Sequence, residues 1–230
     1  MDIQILHLIE GAKLARGITV IIDVFRAFSV EAYLFERGAE CIIPVGDKEF
    51  AYKLKKENPK FLLAGERHGK ILSGFDMGNS PSQLLSMDVK GKTVVHTTSA
   101  GTQGIASAIY ADEILGGSFL NAKATAEYIR KSGAENVSLV CMGLEALTPT
   151  DEDTLCARYI KSLLENSPID ITKEIEKLRY TSGAKFFDPT QSEVFPEKDF
   201  YMCTKTDCFD FVLKLKKPEH EVPFMIKEKV

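Results

Sequence analysis

The sequence predicts an α/β fold: a layered sheet of mostly parallel or mixed strands with helices on both faces. Three observations predict it. Short β-rich apolar runs recur along the chain, as in ITVIIDV and TVVHT, and read as strands. Helical patterns lie between them, each long enough to cross from one parallel strand to the next. The chain has 230 residues, 44% of them hydrophobic and 27% charged, which suffices to bury a full core in one domain.

Taken in order, strands are expected at residues 18–24, 40–45, 61–64, 93–97, 113–116 and 137–142, with helices at 28–37, 47–57, 101–110 and 121–132. The pattern breaks at residues 65–86, where glycines, Asn79, Ser80 and Pro81 replace the helix that should follow a strand. A long irregular stretch inside a compact domain is more often functional than not. After the loop GLEALTPT comes a helix at 151–165, where Thr150 is placed to cap and Asp151, Glu152 and Asp153 suit the positive N-terminal end. Beyond Ser167 the pattern blurs into a charged helix at 171–178, a Gly- and Pro-marked loop through Pro196, and an apolar segment at 209–215. The chain reads as a single α/β domain over 1–230, with 167–230 as a C-terminal subdomain, lid or dimerisation element, and a homo-oligomer is expected.

A net charge of −4 and a pI near 5.7 argue against a nucleic-acid surface, which needs a gathered basic excess. Any anionic ligand must then be held by a local site. The apolar runs are too short to span a bilayer, and MDIQILHLIEGAK carries acids where a signal peptide wants bases; a cytoplasmic protein is expected. Five cysteines without a C-x-x-C pair suggest neither a disulfide framework nor zinc. Cys41, Cys141 and Cys156 lie in apolar surroundings and read as buried structural thiols.

Three segments can carry chemistry. In IDVFRA, Asp23 and Arg26 fall at the end of a strand, where open α/β sheets gather ligand groups, and a carboxylate with a guanidinium there suggests metal and phosphate. The bland alternative is that they pair with each other or cap the next helix. Phe25 occupies the third position of a D-x-D pattern, so the acid/base partner of haloacid-dehalogenase-type phosphatases is absent. The loop GERHGKILSGFDMGNSP holds Glu66, Arg67, Asp76, Asn79 and Ser80 among glycines. Magnesium takes oxygen ligands and keeps waters, which makes Glu66 and Asp76 candidate ligands, and Arg67 can present a planar fork to an oxyanion. His68 is expected to be exposed, and His96, within VVHTT, to be a hydrogen-bonded core residue. In TTSAGT, Thr98, Ser99, Gly101 and Thr102 offer hydroxyls and amides at a helix start, as an oxyanion cradle requires, although plain capping would use the same residues.

Together with the Asn121 region SFLNAKATA and with DEDTLCA, these segments resemble the 2-phosphosulfolactate phosphatase family over residues 18–160, and DFYMCTKTD extends the likeness loosely into the last third. The resemblance implies a magnesium-dependent phosphatase that converts 2-phosphosulfolactate to sulfolactate and phosphate, a step towards coenzyme M, on an α/β architecture of family-specific topology. On this reading Mg²⁺ is held among Asp23, Glu66, Asp76 and Asp153, and Arg26 and Arg67 neutralise the anion. Thr98, Ser99, Gly101 and Thr102 would cradle oxygens, and Asn79, Ser80 and Asn121 would bind substrate. The family's T-[ST]-N-G-T turn carries Ala100 here in place of Asn. The alternatives are a phosphatase of another small hydroxy-acid phosphate, a lyase or isomerase acting on such a phosphate, and a non-catalytic protein that holds an anionic metabolite.

Overall fold

The structure is a computed structural model describing residues 1–230, and it is built on one ten-stranded sheet. The strands are β1 (Asp2–His7), β2 (Gly17–Ile22), β3 (Cys41–Pro44), β4 (Leu62–Arg67), β5 (Lys70–Ile71), β6 (Thr93–Thr97), β7 (Ala111–Gly117), β8 (Asn136–Cys141), β9 (Phe211–Lys216) and β10 (Phe224–Lys229). The helices are α1 (Leu8–Leu14), α2 (Ala27–Glu36), α3 (Lys48–Glu57), α4 (Pro81–Leu84), α5 (Gly101–Ser107), α6 (Ala122–Ser132), α7 (Asp151–Leu164), α8 (Thr172–Leu178) and α9 (Glu197–Cys203).

Across the sheet the strands run β1-β8-β2-β7-β9-β10-β3-β6-β4-β5. Pairing within β1-β8-β2-β7 and within β3-β6-β4 is parallel. The antiparallel hairpin β9-β10 joins these two parallel blocks, touching β7 through Leu115 and Gly116 and β3 through Met225 opposite Ile42. The C-terminal stretch is thus built into the middle of the sheet.

β2 shows why the sheet is covered on both faces. All six of its residues are buried, as a central parallel strand between two helix layers requires. Ile18, Val20 and Ile22 pack with Ile129 of α6 and Leu155 and Ile160 of α7, while Ile21 packs on the other side with Phe28 of α2 and Ile105 of α5.

The expected strands and helices between residues 18 and 165 are all present, with ends shifted by a few residues. Helix α5 stops at Ser107, because Ala108 leaves helical geometry with φ −80° and ψ 58°. β1, α1, α9 and β10 lie outside the elements the sequence predicts. β1 (DIQILH) and β10 (FMIKEK) mix apolar with polar or charged residues, which blurs the strand signal. Cys141, Cys156 and Cys203 are buried and free, with burial pushing each thiol up, whereas Cys41 is only half-buried. No helix is long and apolar enough to cross a membrane.

Candidate active site

A cavity of about 270 Å³ opens at the carboxyl ends of β2, β4, β6 and β8, and it includes Asp23, Arg26, Glu66, Asn79, Thr98, Ser99, Glu152 and Lys185 in its wall. Open α/β sheets place ligands at this end. β2 and β6 are five strand steps apart in the sheet order, about 24 Å in a flat sheet. Yet the Gly101 amide, four residues past the end of β6, donates to Asp23 Oδ2 at 2.8 Å, so the sheet curls to bring the two ends together. That approach needs glycine: a Cβ on Gly101 would lie 2.8 Å from the Ala27 Cβ and 3.0 Å from Asp23 Oδ2. Gly65 in β4 is required for a similar reason, since a Cβ there would meet the Thr97 carbonyl oxygen at 2.1 Å.

The two central carboxylates are held by backbone amides. Asp23 also accepts from the Ala27 amide through Oδ1 at 3.1 Å. Glu66 accepts from the Ser99 amide at 2.8 Å, the Gly69 amide at 2.7 Å and the Ser99 hydroxyl at 3.3 Å. Burial, reinforced by the charges of Glu66 and Glu152, raises the Asp23 pKa to about 6 against the pull of its two amide bonds. Burial likewise raises Glu152 and, helped by Glu152 and Asp23, holds Asp153 well above the usual carboxylate range.

Positive charge comes from Arg26 and Lys185. The Arg26 guanidinium is 3% exposed; it donates to Asp199 Oδ2 at 2.7 Å and to the Val194 carbonyl at 2.9 Å, and lies 4.9 Å from the Phe195 ring centroid. Burial lowers the Lys185 pKa, with Arg26 adding to it and Glu152, Asp23 and Asp153 offsetting it. Asn79 Oδ1 lies 3.3 Å from His96 Nε2, and His96 Nδ1 lies 2.9 Å from Glu31 Oε1, all three side chains being buried. The buried, bonded His96 is the core histidine expected. It fixes the Asn79 side chain and leaves the amide nitrogen without a protein partner beside the cavity.

The structure therefore gathers Asp23, Arg26, Glu66, Asn79, Thr98 and Ser99 in one wall and places the other sequence candidates elsewhere. Asp76, expected among the catalytic and metal-binding carboxylates, lies outside the cavity: its Oδ2 accepts from the Leu63 amide at 2.7 Å and from Lys55 Nζ at 3.2 Å. Arg67 spends its guanidinium on the Glu66 and Gly46 carbonyls and on Thr97 Oγ1, so its fork braces β4 against its neighbours. Asp153 is buried one layer back, accepting from the Val24 and Gly143 amides at 2.9 and 2.8 Å. Asn121 closes a capping box with Ser118, Ser80 caps α4, and Thr102 is bonded back to Thr98. Each of these has a local backbone partner, which the sequence could not distinguish from a ligand. Ala100 lines the cavity with φ −128°, outside the left-handed region.

For Asp76→Asn the expected result is a stability loss of about 1 kcal/mol, from one weakened charged hydrogen bond, with kcat within about twofold of the parent. Chemical denaturation and steady-state kinetics on the same preparation check it. A collapse of kcat in a stable variant would return Asp76 to the chemistry.

Thr150, Glu152, Lys185, Phe195 and Asp199 are absent from the sequence candidates. Glu152 is screened by its place at a helix N-terminus, where an acid needs no further reason. Lys185 and Asp199 sit in the weakly patterned last third, far along the chain from the strand ends that signal the site. His68 is exposed as expected, with Nδ1 2.6 Å from Glu145 Oε1 at the cavity rim.

No three His, Cys, Asp or Glu side chains converge into a preformed metal cage. Asp23, Glu66 and Glu152 nonetheless present carboxylates to one small cavity and feel one another's charge, a repulsion that a cation relieves. This all-oxygen donor set fits Mg²⁺, which is commonly held by one or two carboxylates together with waters and substrate oxygens.

Residues 3–218 match the family model described as 2-phosphosulpholactate phosphatase. A probable 2-phosphosulfolactate phosphatase of Bacillus subtilis is 36% identical over 209 residues, covering 90% of each chain. One from Caldanaerobacter subterraneus is 34% identical over 226 residues, covering 86% of this chain and 87% of that protein. A third, from Caldicellulosiruptor saccharolyticus, is 44% identical over 154 residues, covering 65% of this chain and 63% of that one.

Proposed function

Because the chain belongs to the 2-phosphosulpholactate phosphatase family, a family of phosphoric monoester hydrolases, we propose that it hydrolyses 2-phosphosulfolactate to sulfolactate and phosphate with Mg²⁺ as cofactor. The step towards coenzyme M that this reaction represents belongs to the same reading. The observation that supports it is the single polar cavity into which Asp23, Glu66, Arg26, Asn79, Thr98 and Ser99 converge from separate strand ends.

A phosphate monoester dianion resists attack mainly through its charge, so catalysis rests on positioning and on cations. Asp23 and Glu66, with Glu152 nearby, would hold Mg²⁺, which would supply the charge neutralisation that two carboxylates facing an anion require. Arg26, held in place by Asp199, meets the phosphoryl oxygens. The Thr98 hydroxyl and the amide nitrogen of Asn79 donate to the remaining oxygens, while Ser99 spends its amide and hydroxyl on Glu66. Asp23 accepts the proton of the attacking water; water adds to phosphorus, the bond from phosphorus to the hydroxy-acid oxygen breaks, and that oxygen takes the proton back from Asp23 as it leaves. Acid-quenched single turnover with phosphorus-32 substrate separates this route from attack by Asp23 itself. Label then stays off the protein, whereas a phosphoenzyme route leaves it on Asp23.

Phosphate release from 2-phosphosulfolactate is expected with Mg²⁺ and to be abolished by EDTA. No release under either condition would sink the substrate assignment; release indifferent to EDTA would remove the metal.

A further inference from the structure

One end of the cavity carries polar groups that the fold leaves unpaired. Thr150 stands at the N-cap of α7 with extended backbone, as a capping residue should, yet its hydroxyl makes no capping bond. Its Oγ1, Glu152 Oε2 and Ser182 Oγ are all buried without a hydrogen-bond partner. Lys185, from the short 3-10 turn Ala184–Phe187, joins Thr150 and Glu152 in the cavity wall. Its ammonium makes neither an ion pair within 4.0 Å nor a hydrogen bond with the protein. It lies instead 5.2 Å from the Phe195 ring centroid and 5.6 Å from that of Phe186. The Ser182 and Thr150 hydroxyls and the Lys185 charge draw the Glu152 carboxyl pKa back from the rise that burial causes.

Buried polar groups are nearly always satisfied, and each unmade bond costs the group's desolvation. An ammonium in a cavity wall with no acid paired to it is explained when a molecule outside the protein completes it. The donors in the wall are the Lys185 ammonium and the Thr150 hydroxyl, and their natural complement is an oxyanion. Glu152 alone would repel an anion, and Lys185 beside it supplies the counter-charge. Asp23 and Glu66, at the phosphate end, belong to the same cavity, whose volume of about 270 Å³ suits a small multiply charged molecule better than a drug-sized one.

We propose that Lys185, with the Thr150 hydroxyl, forms a second anion subsite that receives the acid group of the substrate remote from its phosphate, a sulfonate or a carboxylate. The subsite selects phosphate esters that carry a further strong acid, and its ammonium comes from the C-terminal third of the chain. This deepens the functional reading above and rests on it.

The test is Lys185→Met, which keeps length and apolar bulk but removes the charge. The variant is compared with the parent on 2-phosphosulfolactate, on 2-phospholactate, which lacks the sulfonate, and on 2-phosphooxyethanesulfonate, which lacks the carboxylate. On the full substrate kcat/KM should fall about 30- to 100-fold, chiefly through KM, the size expected for a hydrogen bond to a charged group. On the truncated ester that lacks the group Lys185 holds, the loss should shrink to about threefold or less, which also identifies that group. An equal loss on all three esters, or no loss on any, overturns the proposal. Sulfolactate binding measured by calorimetry should weaken at least about tenfold in the variant, and this readout needs no turnover. If the parent hydrolyses none of the esters, the substrate assignment fails by itself, and retained sulfolactate affinity in Lys185→Met would still overturn the subsite.

Discussion

Replacing Asp23 by Asn is expected to lower kcat by about 10³-fold while the protein stays folded. General acid–base groups contribute about 10² to 10⁴ in rate, and Asp23 is also a candidate metal ligand, so its loss falls in the upper part of that range. Two opposing effects keep the fold intact. The Ala27 and Gly101 amides each donate to one oxygen of Asp23, and the Asn amide nitrogen must face one of them; one lost acceptor costs about 1–3 kcal/mol. Removing a buried charge returns a similar amount. The wild-type pKa of about 6 against an ordinary 3.8 means that the folded state binds this proton more tightly than the unfolded one. The resulting stabilisation is fully present below pH ~4 and is lost as pH rises through about 6, at about 1.4 kcal/mol for each pH unit between the two values, or about 3 kcal/mol in all. Denaturant titrations in EDTA at pH 4.5 and 7.5 should show this slope in the parent and a flatter one in Asp23→Asn. Equal slopes would mean that Asp23 titrates normally; undiminished kcat would remove it from the chemistry.

The largest stability effect is expected at Asp199, a residue that does not line the cavity. Its Oδ2 is 2.7 Å from Arg26 Nη1, with side chains 0% and 3% exposed, and its Oδ1 accepts from the Ser82 amide at 2.9 Å. Asp199→Ala strands a guanidinium that is 3% exposed and leaves it the Val194 carbonyl as acceptor. Removing one partner of a buried pair costs about 3–5 kcal/mol, equivalent to a fall in Tm of about 10 °C for a chain of this size. Asp199→Asn keeps an acceptor for one of the two donors and should lose less. A calorimetric Tm within about 2 °C of the parent for Asp199→Ala would show that Arg26 finds another partner.

The fold was legible where the chain obeys a single period. ITVII reads as a buried strand because both its faces meet helices, and TVVHT reads as one for the same reason. β10 was not legible, because Lys227, Glu228 and Lys229 give its end the look of a solvated tail, and its partners, β9 and β3, are set by register and not by pattern. The site was legible at the strand ends, where an acid or hydroxyl beside glycine follows an apolar run: Asp23, Glu66, Thr98 and Ser99. Asp76 shows the limit of that signal. A carboxylate in a glycine-rich loop is as well suited to accept a backbone amide as to hold a cation, and only the 2.7 Å bond to Leu63 separates the two. Lys185 and Asp199 carried no local signal, because what makes them functional is proximity to Glu152 and Arg26, 33 and 173 residues earlier.

The hairpin in the middle of the sheet bears on how the chain is born. At ~10 residues per second, roughly 7 s pass between synthesis of Cys141, which ends β8, and that of Phe211, which begins β9. Until then β7 and β3 are open edges, each the flank of a parallel block that can already assemble, and open edges template association between chains. A nascent or truncated chain ending before Phe211 therefore has two sticky margins and no bridge between them. β9 and β10 are the clasp that turns two half-sheets into one, and for that interval the cell must shield what the clasp will later cover.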